Sequence, residues 1–92
     1  MHPIMMILEA MATDDRIGTA HVCLYLAIWD SGERLGATGL FYISRRELMR
    51  RSRLKGRTTY SRVIGELARW QYIEYRPSPD MRGRSRVRVR AI

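Results

Sequence analysis

The side chains through which this chain can act on a partner are nearly all arginines. The stretch ISRRELMRRSRLKGRTTYSRVIGELARW, residues 43–70, holds nine Lys or Arg residues while its apolar residues keep helical spacing. Sixteen of the seventeen basic residues are Arg, whose planar fork suits phosphate oxygens and guanine edges. They are unevenly spread. Residues 1–43 carry two basic and five acidic side chains, a net charge of −3, whereas residues 44–92 carry fifteen and four, a net +11. A localised positive field on a small domain points to a polyanion, usually nucleic acid. A merely solubilising surface would favour Lys with both signs interspersed, although a GC-rich genome also raises Arg usage. Other chemistry finds few residues. There is no nucleophile–base pair, carboxylate pair or phosphate loop, so an enzyme is not expected. Cys23 has no second Cys, and His2 and His21 lie far apart, so neither a disulfide nor a metal site is expected, and no cofactor.

These side chains need elements to hold them. Ninety-two residues make one domain, 1–92, with little room for a deep pocket beside its core. The apolar run Ala20–Trp29 has ten residues, about half a membrane span, and no basic region precedes the N-terminal apolar stretch. A cytoplasmic protein without membrane contact is the expectation. PIMMILEAMA predicts an N-terminal helix within residues 1–15, with Ile4, Ile7, Leu8 and Met11 on one face. TDDRIG breaks it. Thr19 is placed to cap a second helix over Ala20–Asp30, apolar almost all round and therefore central. DSGERLGATG, with three glycines, reads as a loop, and LFYI as a short extended segment.

Ser44 opens the next helix, about Arg45–Arg51, with a capping box to Glu47 and a staple between Ile43 and Leu48. Ser44→Ala should cost about 1 kcal/mol, whereas Ser52, at the helix's far end, should matter little. SRLKG is a tight connection. A further helix over about Arg57–Trp70 carries the stripe Tyr60, Val63, Ile64, Leu67 and Trp70. After Gln71 the period becomes 2. YIEYRP and RVRVRAI predict a hairpin over 72–92 around SPDMRG, with one face almost all Arg. The expected class is mainly α with a small β-hairpin.

The run ISRRELMRRSRLKGRTTYSRVIGELARWQYIEY resembles a winged helix-turn-helix domain. The resemblance covers residues 19–92 and is moderately specific. Gln71 stands where such domains more usually hold Gly, at a position that calls for a left-handed backbone. The resemblance implies a helical core over 19–70, a helix-turn-helix over 44–70, a two- or three-stranded wing over 72–92, and an extra N-terminal helix. The second helix of such a motif reads base edges in the major groove. That role falls on Arg57, Thr58, Thr59 and Arg62, with Glu66 at the groove's edge. Ser44, Arg45, Arg46, Lys55 and Ser61 would contact phosphate. Arg82, Arg84, Arg86 and Arg88 would line the wing. Blander roles compete: Thr58 as a cap, Ser44 to Arg46 as a solvated helix end, Tyr60 and Trp70 as core, Arg69 as a charge on the helix dipole.

The implied partner is double-stranded DNA, in bacterial transcription or in phage, plasmid or transposon replication or excision. The N-terminal helix either packs on the core or forms a homodimer. An RNA-binding or ribosome-associated module is the first alternative, but single-strand readers display exposed aromatics, and here Tyr75 is the one expected exception. A winged-helix protein-interaction module would expose an apolar patch in place of a basic surface. If duplex binding neutralises about six phosphates, log K should fall against log [salt] with a slope of about −5. A titration that stays flat between low and moderate salt would overturn the electrostatic reading.

Overall fold

The computed structural model describes residues 3–78 and 84–90. It contains α1 (Pro3–Ala12), α2 (Thr19–Leu35), β1 (Phe41–Tyr42), α3 (Arg45–Ser52), α4 (Arg57–Arg69), β2 (Ile73–Arg76) and β3 (Arg86–Val89). The molecule is mainly helical with a small antiparallel sheet of order β1-β3-β2. The predicted hairpin is present and gains β1 as a third strand, in the register Phe41↔Val87↔Tyr75 and Tyr42↔Arg86↔Arg76. Most of SPDMRG, with Arg82, lies outside the described residues.

Helix α2 is the centre of the molecule and packs on α3, α4 and β3. Its Leu24, Tyr25 and Ile28 are fully buried, as are Val63 and Leu67 of α4 and Val87 of β3. Each such Leu, Ile or Val contributes about 1.5–3 kcal/mol through burial. Tyr60 joins the core as expected, and Trp70 is partly buried against it. Helix α1 lays Ile7 and Met11 on this core and leaves Met5 and Met6 half exposed.

Two features of α2 correct the sequence reading. Its N-cap is Gly18 rather than Thr19, and the Gly18 N–H donates to His21 Nδ1 at 2.9 Å. Its end lies at Leu35 rather than Asp30, because the two glycines read as loop signals act differently. Gly32 is buried inside the helix, where a Cβ would stand 2.9 Å from the Phe41 ring. The aromatic ring of β1 takes the space that a side chain would need. Gly36 (φ +64°) then closes the helix, with its own N–H on Glu33 O and the Ala37 N–H on Gly32 O.

The same closure recurs with residues less suited to it. Arg53 (φ 65°) ends α3 and Gln71 (φ 70°) ends α4. At α4 the Gln71 N–H donates to Ala68 O and the Tyr72 N–H to Leu67 O, with Tyr72 and Leu67 both buried, which is a Schellman ending. Gln71 therefore adopts the left-handed backbone that its position called for.

At α3, Ser44 is the N-cap and its Oγ accepts the Glu47 N–H at 3.2 Å. The other half of the predicted box is not made: the Glu47 carboxylate pairs with Arg50. Ser52 is buried, with its hydroxyl donating to Leu48 O at 2.6 Å. That carbonyl already accepts the helical i→i−4 bond, so Ser52→Ala orphans nothing and should stay near neutral. Gln71→Gly, by contrast, should raise stability by about 0.5–1 kcal/mol, because it removes a Cβ from a left-handed position. Chemical denaturation checks this; a loss of stability would mean that the Gln71 side chain matters more than its backbone.

Candidate nucleic-acid interface

The start of α3, the four-residue turn 53–56 and the start of α4 face one open groove of about 730 Å³. Arg45, Arg46, Arg50, Arg53, Lys55 and Arg57 surround it, and Met49 and Leu54 give it an apolar floor. Four of these cations, Arg45, Arg46, Lys55 and Arg57, are ones the sequence singled out. Arg50 and Arg53 were missed. The left-handed backbone of Arg53 was invisible in SRLKG, and Arg50 is a neighbour only through the turn of α3.

Both helices begin with cations, against the preference of the helix dipole for negative charge there. Arg45 and Arg46 stand in the first turn of α3 and Arg57 in that of α4, whose N-cap Gly56 supplies no side-chain bond. Thr58 is thus not the cap. It lies exposed on α4 with Arg57 and Ser61, and Thr59 is half-buried near Gly56.

Which arginines are neutralised inside the protein decides which can meet a ligand. Asp30 holds Arg34 and Arg51, Glu47 holds Arg50, Asp14 holds Arg16, and Glu74 holds Arg76 and Arg88. These partners keep each carboxyl below the usual carboxylate range, Arg51 acting most on Asp30 and Arg76 most on Glu74. A depressed folded pKa contributes stability above the unfolded value that is lost as pH falls through the folded one. The network therefore persists through mildly acid conditions. Among the described residues, Arg45, Arg46, Arg53, Lys55, Arg57, Arg69, Arg84, Arg86 and Arg90 stand outside these ion pairs.

One expectation changes here. The outer face of the hairpin is not almost all Arg. Glu74 sits opposite Arg88 and draws in Arg76, which leaves Arg84, Arg86 and Arg90 as its unpaired charges. Glu66, expected at the groove's edge, also makes contacts within the protein. Its Oε1 accepts from His21 Nε2 at 2.9 Å and from Arg62 at 2.8 Å, so it bridges α2 and α4, and its carboxyl is held low chiefly by His21. His21 in turn stacks near Trp70 (5.0 Å between ring centres), over which Arg16 lies at 4.8 Å. The exposed aromatic is Tyr42, 62% accessible, whereas Tyr75 is half-buried with its hydroxyl 3.4 Å from Ser85 Oγ.

Among the described residues no group of three or more His, Cys, Asp or Glu is arranged to hold a metal, and no helix is long and apolar enough to cross a membrane. No protein-family model, curated protein or solved structure matches the chain.

If the groove is the ligand surface, Lys55→Ala and Arg57→Ala should each make the salt slope of duplex binding shallower by about 0.9. Arg34→Ala, whose side chain pairs with Asp30 on α2 and does not line the groove, should leave it unchanged. Equal slopes for all three variants would move the surface elsewhere.

Proposed function

We propose that this chain is a winged helix-turn-helix domain that binds double-stranded DNA sequence-specifically, in transcriptional regulation or in the replication or excision of a mobile element. The observation that carries the reading is the gathering of unpaired cations at the starts of two consecutive helices and along β3. The element order supports it: a central helix, a short strand, two helices joined by a four-residue turn, then a hairpin whose second strand pairs with the first strand.

On this reading α4 enters the major groove and presents Arg57, Thr58, Thr59 and Arg62 to base edges. Ser44, Arg45, Arg46, Lys55 and Ser61 take phosphates, as Arg50 and Arg53 also can once the groove is occupied. Arg84 and Arg86 follow the backbone from the wing, whereas Arg88 must first leave Glu74; Arg82, expected in the same role, lies outside the described residues. The reading needs no cofactor and places the protein in the cytoplasm. It includes a homodimer through α1, supported by the half-exposed Met5 and Met6.

One observation favours a second reading. Tyr42 is exposed and stands across the strands from Arg86, the combination that stacks and holds unpaired bases in single-strand and RNA readers.

Selection from random duplex and single-stranded pools run side by side tests both. Enrichment of a duplex motif supports the first reading, with palindromy reporting the dimer, and enrichment confined to single strands supports the second. On the first reading Thr59→Ala and Arg62→Ala should relax the preferred sequence, while Arg84→Ala and Arg86→Ala should weaken all duplexes alike. A change of preferred sequence in the wing variants alone would mean that α4 is not the reading element.

A further inference from the structure

Arg57 and Arg62 are both placed to read bases, but they are held differently. Arg57 takes part in none of the ion pairs among the described residues. Arg62 donates one N–H to Glu66 Oε1, and the same oxygen accepts from His21 Nε2. An exposed Arg–Glu pair four residues apart on a helix is ordinarily loose. This one is anchored from the inside. The Glu66 side chain is only 20% accessible and that of His21 8%. His21 is itself locked, because its Nδ1 accepts the Gly18 N–H at 2.9 Å and its ring lies 5.0 Å from that of Trp70. A guanidinium carries five N–H donors, so Arg62 keeps most of its fork for a ligand while its position is set by α2.

We propose that Glu66, pinned by His21, is a positioning residue that fixes Arg62 before DNA arrives and thereby sets discrimination at the base Arg62 reads. The inference rests on the duplex reading and adds to it a division of labour. Arg57, free to follow whatever lies in the groove, contributes affinity with little selectivity. Arg62 arrives with its rotamer already chosen. Ordering a long side chain on binding costs an amount equivalent to about three- to tenfold in affinity, and a preset fork avoids that cost only for the base that fits it. A base that does not fit finds a guanidinium that cannot swing away to another acceptor without leaving Glu66.

The test begins with the motif selected from a random duplex pool. Arg62→Ala identifies the base pair whose preference Arg62 carries. The readout is then the ratio of Kd for a duplex changed at that pair to Kd for the selected duplex, because removing an acidic group strengthens binding to every duplex and cancels in the ratio. Glu66→Gln should lower this ratio by about three- to tenfold, leave the ratios at other positions unchanged, and have no further effect on it in an Arg62→Ala background. His21→Phe, which keeps a ring beside Trp70 and loses both hydrogen bonds, should lower the same ratio, with thermal melts confirming that each variant is folded.

An unchanged ratio in Glu66→Gln overturns the inference. So does an equal loss at every position, which would make Glu66 a support for α4 as a whole. A rise in the ratio would mean that Glu66 parks Arg62 away from DNA, and also overturns it. A selected motif indifferent to Arg62→Ala removes its premise. These outcomes differ from failure of the duplex reading, in which the pool yields no enriched duplex at all and both proposals fall.

Discussion

The Phe41 ring lies on the bare backbone of α2 at Gly32, and the course of the chain on either side follows from that contact. It lets the strand run close enough to α2 for Tyr42 to pair with Arg86 and for Ile43, buried beside it, to donate its backbone N–H to Ser85 O. Ser44 comes next and starts α3, so the cationic end of α3 is registered against the sheet within three residues. A Cβ at position 32 would stand 2.9 Å from the ring, closer than side-chain carbons pack, so the ring would have to move outward and strain the seat of β1 on α2. Gly in a helix interior ordinarily costs about 1 kcal/mol relative to Ala, and here the close approach of Phe41 is what that cost makes possible.

A second level of order is electrostatic. The acidic side chains are few, and five of them (Asp14, Asp30, Glu47, Glu66 and Glu74) engage arginines within the protein. Asp30 draws Arg51 inward to join α3 to α2. Asp14 holds Arg16 beside Trp70 and accepts the Tyr72 hydroxyl at 2.8 Å, fastening the α1–α2 loop to the start of the hairpin. The basic residues thus divide into a set that braces the fold and a set left for a ligand, and the second set is concentrated at the starts of α3 and α4 and along β3. The net charge of +8 conceals this division, which depends on where each carboxylate sits.

Much of the scaffold was legible from local signals. Ser44 between Ile43 and Glu47 marked the start of α3, the stripe from Tyr60 to Leu67 marked the buried face of α4, and alternation marked β2 and β3. What escaped depended on contacts distant in sequence. Gly32 reads as a breaker until Phe41 is known to lie on it. His21 reads as a lone polar residue in an apolar run until Glu66, forty-five residues away, is known to meet it. The burial of Ser52 left no mark, because a Ser in an arginine-rich stretch carries no sign of it. In the candidate interface, the cations themselves were legible and their neutralisation was not. Nothing in the local pattern of the hairpin said that Glu74 would take two of its arginines, nor that Tyr42 rather than Tyr75 would face outward.

The sheet order also has a consequence in time. Strand β3 lies between β1 and β2 although it follows both in the chain, so neither neighbour has a partner until β3 exists. The helices α2, α3 and α4 are joined by short connections and close through local hydrogen bonds, which form quickly. Phe41, however, must wait for Val87, on the order of a few seconds at ordinary rates of synthesis. During that interval the apolar strand β1 has unpaired backbone edges, and its safest resting place is the surface of α2 at Gly32. The glycine that admits the ring in the finished protein thus also offers β1 shelter while it is being made.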